Sequence, residues 1–113
     1  MSDCLFCRIA KREIPADVVL EREDVLAFRD VNPQAPTHVL VIPKEHVPSL
    51  AALDERHDRM LASLVGAVNE VARQDGVADG YRTVTNVGPA AGQSVEHLHL
   101  HVLGGRSFGW PPG

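Results

Sequence analysis

Apolar and polar positions along this chain recur with two different periods, and the changes of period mark its elements. Val18-Val19-Leu20-Glu21 and Val25-Leu26-Ala27-Phe28-Arg29-Asp30 are short apolar runs separated by Arg22-Glu23-Asp24. They predict two strands joined as a hairpin. The proline-punctuated stretch Asn32-Pro33-Gln34-Ala35-Pro36 is a loop. Thr37-His38-Val39-Leu40-Val41-Ile42-Pro43 is the most β-branched run and predicts a central strand, with His38 near a sheet end. Ser49 to Leu53 predicts one helical turn. From Asp54, an N-cap residue type, to Gln74, the residues Leu61, Leu64, Val68 and Val71 follow helical spacing, and Gly76 is the stop. This is the one long helix. Its stripe should face the sheet or a subunit partner, with His57 on the solvated side. Tyr81 to Val87 predicts a fourth strand, and Gly88 to Ser94 a glycine-containing loop whose Gln93 and Ser94 supply donors.

The most distinctive run is Glu96-His97-Leu98-His99-Leu100-His101-Val102-Leu103. Its period of two is the strand period. A strand puts His97, His99 and His101 on one face and Leu98, Leu100 and Val102 on the other. A helix would scatter the imidazoles by about 200° per two-residue step. Three uses of such a row compete. It could be a polar sheet face that happens to be rich in His. It could hold a metal, although the outer Cα atoms lie roughly 13 Å apart on a strand, so one ion cannot take all three without a bend. Or a central nucleophile could be flanked by helpers, which suits an imidazole with an ordinary pKa of about 6.5. Glu96 is the one carboxylate between Gly88 and His101, and strand parity sends it to the opposite face, so a carboxylate-activated water is poorly supplied.

Composition narrows the class. The chain has 113 residues, 44% of them hydrophobic, which suits one domain spanning 1–113 with one core. No apolar run is long enough to span a membrane, and Met1-Ser2-Asp3-Cys4 has no signal-peptide pattern, so the cytoplasm is expected. A net charge of −4 without a Lys/Arg cluster argues against nucleic acid as a partner. Cys4 and Cys7 form a C-x-x-C pair that reads as half a zinc site, a redox pair or two small buried residues. Six histidines are available as further ligands. The tail from Gly104 holds the sole Trp, Trp110, ahead of Pro111-Pro112. It cannot form a regular element, and Trp110 should dock somewhere. Hairpin, strand, helix, strand, loop, strand is an α+β order, with a mainly antiparallel sheet of about five strands and one long and one short helix.

His97-Leu98-His99-Leu100-His101-Val102-Leu103 resembles the signature of the histidine triad (HIT) superfamily. Ile14-Pro15, Leu26-Ala27-Phe28-Arg29-Asp30, Pro36-Thr37-His38, Val41-Ile42-Pro43-Lys44 and Gly92-Gln93-Ser94-Val95 also stand where that family has them. Gly104-Gly105-Arg106 and Trp110-Pro111-Pro112-Gly113 look like its Hint branch, the histidine triad nucleotide-binding proteins. The resemblance implies a HIT-like fold, a homodimer with its sheet continued across the interface, and hydrolysis of purine nucleoside 5′-phosphoramidates such as adenosine 5′-monophosphoramidate.

By position, the resemblance makes His99 the nucleophile toward the α-phosphorus. His101, Ser94 and Asn86 would hold phosphate oxygens, with Gln93 beside them. Asp30 would take the ribose hydroxyls. Phe28, Val31 and Ile9 would line the base pocket. His38 would support proton traffic behind the nucleophile, and Trp110 would pack near the partner's site. No catalytic metal is required. Two features depart from animal members of the branch. Glu96 replaces a common aromatic residue, and Cys4 and Cys7 are present. Relatives such as galactose-1-phosphate uridylyltransferase hold a structural zinc with such a pair plus two histidines, which match His46 and His97 here. The competing readings are a dinucleoside polyphosphate hydrolase of the Fhit branch, a nucleotide- or partner-binding module with incidental turnover, and a metal-dependent hydrolase.

Overall fold

The computed structural model describes residues 3–113. Five strands form one sheet: β1 (Val18–Glu21), β2 (Val25–Arg29), β3 (Thr37–Pro43), β4 (Tyr81–Val84) and β5 (Leu100–Gly104). Their order is β1-β2-β3-β5-β4, and every neighbouring pair is antiparallel. The β-branched run at 37–43 is the central strand, and all seven of its residues are buried. Both of its faces are covered, by α1 (Leu5–Ala10) on one side and α2 (Asp58–Gln74) on the other.

Strand alternation assigns side chains to these two layers. Val25, Ala27, Val39, Val41, Leu100 and Val102 point toward α2 and meet Leu64, Val68 and Val71. Leu26, Phe28, Leu40 and Ile42 point the other way and meet Phe6 and Ile9 of α1. The second layer is the one that carries the histidines. In the β3–β5 register Leu40 stands opposite His101, and His38 stands opposite Leu103, so His38 and His101 are diagonal neighbours on the α1 face.

Several boundaries differ from the sequence reading, each for a local reason. The histidine strand pairs only from Leu100, because the Leu98 N–H leaves the sheet to donate to the Val47 carbonyl at 2.7 Å. The alternation still holds from 97 to 102, with Leu98 in the α2 core. β4 stops at Val84, where the Thr85 hydroxyl donates to the His99 carbonyl at 2.9 Å in place of a ladder bond. Asp54 caps a 3-10 turn, Glu55–His57, that feeds α2. The His57 ring accepts the Asp54 N–H at 3.2 Å and its side chain is mostly buried, so it does not lie on the solvated side of the helix. Leu61, expected in the buried stripe, is 40% exposed, and Met60, Ala67 and Ala72 complete the stripe instead. The segment after the first cysteine forms a helix, α1, begun by the Cys4 sulfur accepting the Cys7 N–H at 3.4 Å. No helix among the described residues is long and apolar enough to cross a membrane.

α2 is tied to the sheet at its C-terminus as well as along its stripe. Asp75 accepts both guanidinium bonds of Arg29, at 2.8 and 3.0 Å, and the Thr37 hydroxyl at 2.8 Å. These donors hold the Asp75 carboxyl below its ordinary range, with the Arg29 bond the largest cause. Gly76, at φ +73°, ends the helix in the left-handed conformation that glycine tolerates. Leu64 is fully buried at the middle of the stripe. Leu64→Ala should therefore lower unfolding free energy by about 2–5 kcal/mol in urea titrations, with the folded far-UV spectrum retained.

Candidate active site

The α1 face of the sheet holds a cavity of about 450 Å³, within the usual range for small-molecule sites. One wall is apolar, built by Leu5, Phe6 and Ile9 from α1 with Phe28 and Leu40 from β2 and β3. Polar groups gather elsewhere in the wall: Asp30, Ser94, His99 and His101. An apolar slot with a few converging polar groups suits a flat ring carrying a polar extension.

His99 is buried, and its orientation is fixed. Its Nδ1 lies 2.7 Å from the His97 carbonyl oxygen. A carbonyl can only accept, so Nδ1 carries the proton and Nε2 keeps its lone pair. The ring packs near-perpendicular to Phe6, with centroids 5.1 Å apart and planes at 87°, and lies 5.1 Å from the ring of His101. An imidazole held in this tautomer presents Nε2, the nitrogen through which a histidine ring can act as a nucleophile.

His101 is oriented by a train of hydrogen bonds that starts from the backbone. The Gln34 N–H donates to His38 Nδ1 at 3.0 Å. His38 must then carry its proton on Nε2, which donates to His101 Nδ1 at 2.9 Å. His101 in turn must carry its proton on Nε2, as a donor. Asp30 stands 3.4 Å from His38 Nε2 and uses its other oxygen to accept the Asn32 N–H at 2.8 Å. Burial, more than the neighbouring His99 and His38, pushes the His101 pKa down to about 4. Burial also lowers His38, and Asp30 only partly opposes it. Both rings are therefore neutral at physiological pH. Asp30, His38 and His101 bring three ligand-type atoms within 4.8 Å of one another, but the two ring nitrogens already share a proton. That leaves a hydrogen-bond train rather than a vacant chelate.

His97 belongs to a different cluster. Its Nδ1 lies 3.3 Å from Cys4 Sγ, 3.5 Å from Cys7 Sγ and 3.2 Å from His46 Nδ1, and Cys7 Sγ lies 3.3 Å from His46 Nδ1. A tetrahedral zinc with bonds of about 2.05 Å to nitrogen and about 2.3 Å to sulfur sets edges of about 3.3 Å (N–N) and about 3.6 Å (S–N). The cluster reproduces those edges closely. The His97 Nε2–H donates to the Pro43 carbonyl at 2.9 Å, which leaves the Nδ1 lone pair facing the sulfurs, as zinc-bound histidines require. Burial keeps the His97 imidazole below its ordinary pKa, in the neutral form a metal takes. The donor set and its second shell fit a structural zinc; nothing in it leaves an open position for chemistry. His46 forms the exposed side of the cluster, where an outer cavity of about 600 Å³ also meets Cys4, Ser94 and Glu96. Glu96 lies in a bend rather than a strand, so it faces this outer cavity and not the α2 layer.

The structure brings most of the expected residues together. Ile9, Phe28, Asp30, Val31, Ser94, His99 and His101 line the inner cavity. Three others are elsewhere. The Gln93 amide is engaged by backbone groups, accepting the Gly88 N–H at 2.8 Å and donating to the Pro48 and Val95 carbonyls. Asn86 is half-buried outside the cavity wall. Trp110 is 83% exposed and does not dock among the described residues. His38 meets His101, and through it the site. Phe6, Leu5 and Leu40 were not anticipated. The signal for the first two was the apolar spacing Leu5, Phe6, Ile9 beside the cysteines, which marks a helix face.

The chain matches the HIT domain family over residues 11–108. It is 54% identical over 111 residues to an uncharacterized HIT-like protein of Synechococcus elongatus, covering 98% of this chain and 97% of that one. It is also 54% identical over 114 residues to the 14 kDa zinc-binding protein of Zea mays, covering 99% of this chain and 89% of the maize protein. Among solved structures, a HIT family hydrolase from Legionella pneumophila aligns with a TM-score of 0.96 at 48% identity, over 98% of this chain and 100% of that one. A histidine triad protein from Clostridium difficile aligns at 0.91 with 40% identity, over 96% of each chain. With its sequence matched almost end to end and its fold reproduced at this identity, the chain belongs to the HIT family.

Proposed function

We propose that this protein is a hydrolase that cleaves the P–N bond of purine nucleoside 5′-phosphoramidates, releasing the nucleoside monophosphate and an amine. The observation that carries the reading is His99, whose Nε2 lone pair is freed by the bond from Nδ1 to the His97 carbonyl at the wall of a nucleoside-sized cavity. The naming of the Legionella and Clostridium thermocellum neighbours as HIT family hydrolases supports the reaction class.

In this reading the base lies against Ile9 and Phe28, with Val31 at the rim. Asp30 accepts from the ribose hydroxyls. Ser94 and the Nε2–H of His101 donate to phosphate oxygens, joined by Asn86 once substrate draws it in. Neutral donors suit a transition state in which charge moves among the phosphoryl oxygens. His99 Nε2 attacks the α-phosphorus, the P–N bond breaks with its electron pair left on nitrogen, and that nitrogen takes a proton from bulk water through the Ser94 hydroxyl to leave as the neutral amine. Water then attacks the nucleotidyl-histidine and returns its proton to solvent, the new P–N bond breaks, and its electron pair restores the Nε2 lone pair of His99. No metal enters either step. Zinc on Cys4, Cys7, His46 and His97 has a structural role; the maize relative is named for binding zinc. We assign the whole of 1–113 to one domain acting as a homodimer in a reducing cytoplasm, where the two thiols remain ligands. Edge strand β4, the exposed Leu61 and Val65 of α2, and the undocked Trp110 supply surface for that partner.

His99→Ala should lower kcat on adenosine 5′-monophosphoramidate by on the order of 10³-fold or more while preserving nucleoside monophosphate binding. Rapid quench with labelled substrate and peptide mapping should find the label on His99. Label on another residue, or near-normal turnover of the variant, would remove the assignment.

Protein purified without added metal should carry about one zinc per chain by elemental analysis, and a strong chelator should lower its thermal midpoint. Zinc-free protein of unchanged stability would dismiss the metal site.

A third expectation concerns pH. The folded pKa of His101 lies near 4, below its ordinary value of about 6.5. Between those values the unfolded chain binds more protons, so stability must fall as pH drops through that window. His101→Asn should flatten the slope of the urea midpoint between pH 6.5 and 4 relative to wild type. Equal slopes would show that His101 is not held neutral by the fold.

A further inference from the structure

The metal-type cluster and the nucleophile sit on the same few residues, and two physical links join them. The first is backbone. His97 offers Nδ1 to the cluster while its own carbonyl accepts the His99 Nδ1–H at 2.7 Å. The anchored His97 ring restrains the His97 backbone, and with it that acceptor. The second is a side chain. Phe6 lies between Cys4 and Cys7 in the turn that both cysteines anchor. Its ring stands 5.9 Å from the His97 ring, 5.1 Å from the His99 ring and 5.5 Å from Phe28, near-perpendicular to His99. Phe6 is 5% exposed, so its position is set by packing rather than solvent.

These two links hold the His99 ring on separate sides. The carbonyl fixes which nitrogen bears the proton, and the Phe6 ring fixes the plane in which Nε2 points. Neither group reacts. Both owe their places to residues that would ligate the metal. Helix α1 has only six residues, too short to hold its shape without tertiary anchors. Its first turn is fastened by Cys4 and Cys7, and its apolar side by Phe6 and Ile9.

We propose that the Cys4–Cys7–His46–His97 cluster acts on catalysis as well as on stability, by fixing the His99 ring through the His97 carbonyl and through Phe6, which is a positioning residue for the nucleophile. The proposal rests on the assignment of His99 as nucleophile, and it adds that metal occupancy and nucleophile orientation are one coupled property of the N-terminal turn.

The test uses the zinc-loaded protein at one fixed pH and reads the His99 ring directly. Long-range proton–nitrogen spectra should show a single Nδ1–H tautomer in wild type. Phe6→Leu keeps an apolar side chain and every ligand but removes the ring. It should retain its zinc, show a mixture of His99 tautomers or ring positions, and lose roughly 10–100-fold in kcat. Phe6→Tyr, which keeps a ring in place, should restore most of the loss. In a second arm His46→Asn weakens the cluster from its exposed side while the Phe6 ring and the His97 side chain, with its Pro43 partner, are kept. As zinc is withdrawn from that variant by chelator, the His99 signals should change in step with measured zinc content. If Phe6→Leu leaves kcat and the His99 spectrum unchanged, or if His99 is indifferent to zinc content in His46→Asn, the coupling is overturned. If wild type turns over no phosphoramidate, the functional reading fails while the spectra still decide the coupling.

Discussion

Strand parity between residues 97 and 102 is the constraint on which the site depends. Leu98, Leu100 and Val102 must enter the α2 core, and that requirement sends His97, His99 and His101 to the α1 face. A slip of one residue would drive three imidazoles into an aliphatic layer and bring the leucines out. The penalty for either error is large, since an unpartnered buried polar group costs about 1–3 kcal/mol. In the register observed, each imidazole has a partner suited to it: Pro43 for His97, the His97 carbonyl for His99 and His38 for His101. The apolar face fixes the register, and the register chooses the chemistry.

Parity also explains why three equivalent-looking histidines do different work. They share a face but not its neighbours. His97 lies under the start of α1, where two cysteines and His46 converge. His99 lies under Phe6 and at the cavity wall. His101 lies across from β3, within reach of His38. Each step of two residues moves roughly 6.5–7 Å along the sheet, far enough to cross from the cluster to the cavity and on to the β3 histidine. Alternation sets the face, and the elements packed above that face set the role.

Much of this was legible in the chain itself. Strand β3 was read to the residue, and the hairpin, the helix stop at Gly76 and the strand order of types followed from apolar periodicity and turn residues. The cysteine pair with His46 and His97 came from resemblance, and the structure brings those four together. What the sequence hid depended on partners distant along the chain. The short pairing of β5 and β4 results from Val47 and Thr85 taking over hydrogen bonds, which no periodicity reveals. Gln93 was read as a ligand donor because its loop precedes the histidines, yet its amide closes that loop. The spacing of Leu5, Phe6 and Ile9 marks a helix face, but it does not show that Phe6 meets the His99 ring, a residue 93 positions away. Trp110 stays 83% exposed, so the docking expected of it is not met among the described residues.

The hydrogen-bond train behind His101 limits what that residue can do. His38 Nδ1 is held as an acceptor by the Gln34 N–H, so the one ring proton of His38 is the one it gives to His101. If His101 passed its Nε2 proton outward and drew on His38 to replace it, His38 would be left as an imidazolate, which no nearby cation stabilises. Asp30, 3.4 Å away, would oppose it further. The train therefore polarises the His101 N–H without acting as a proton store. Its worth lies in aim: a backbone amide on the loop before β3 dictates, through two rings, that a donor faces the cavity. Burial keeps that donor neutral, so under the proposed function it would bind a phosphoryl oxygen by direction more than by charge, and such a bond would strengthen as charge gathers on that oxygen during reaction. In a chain of net charge −4 with no basic cluster, directed neutral donors are the means by which the proposed site would select a phosphate of the right shape over anions at large.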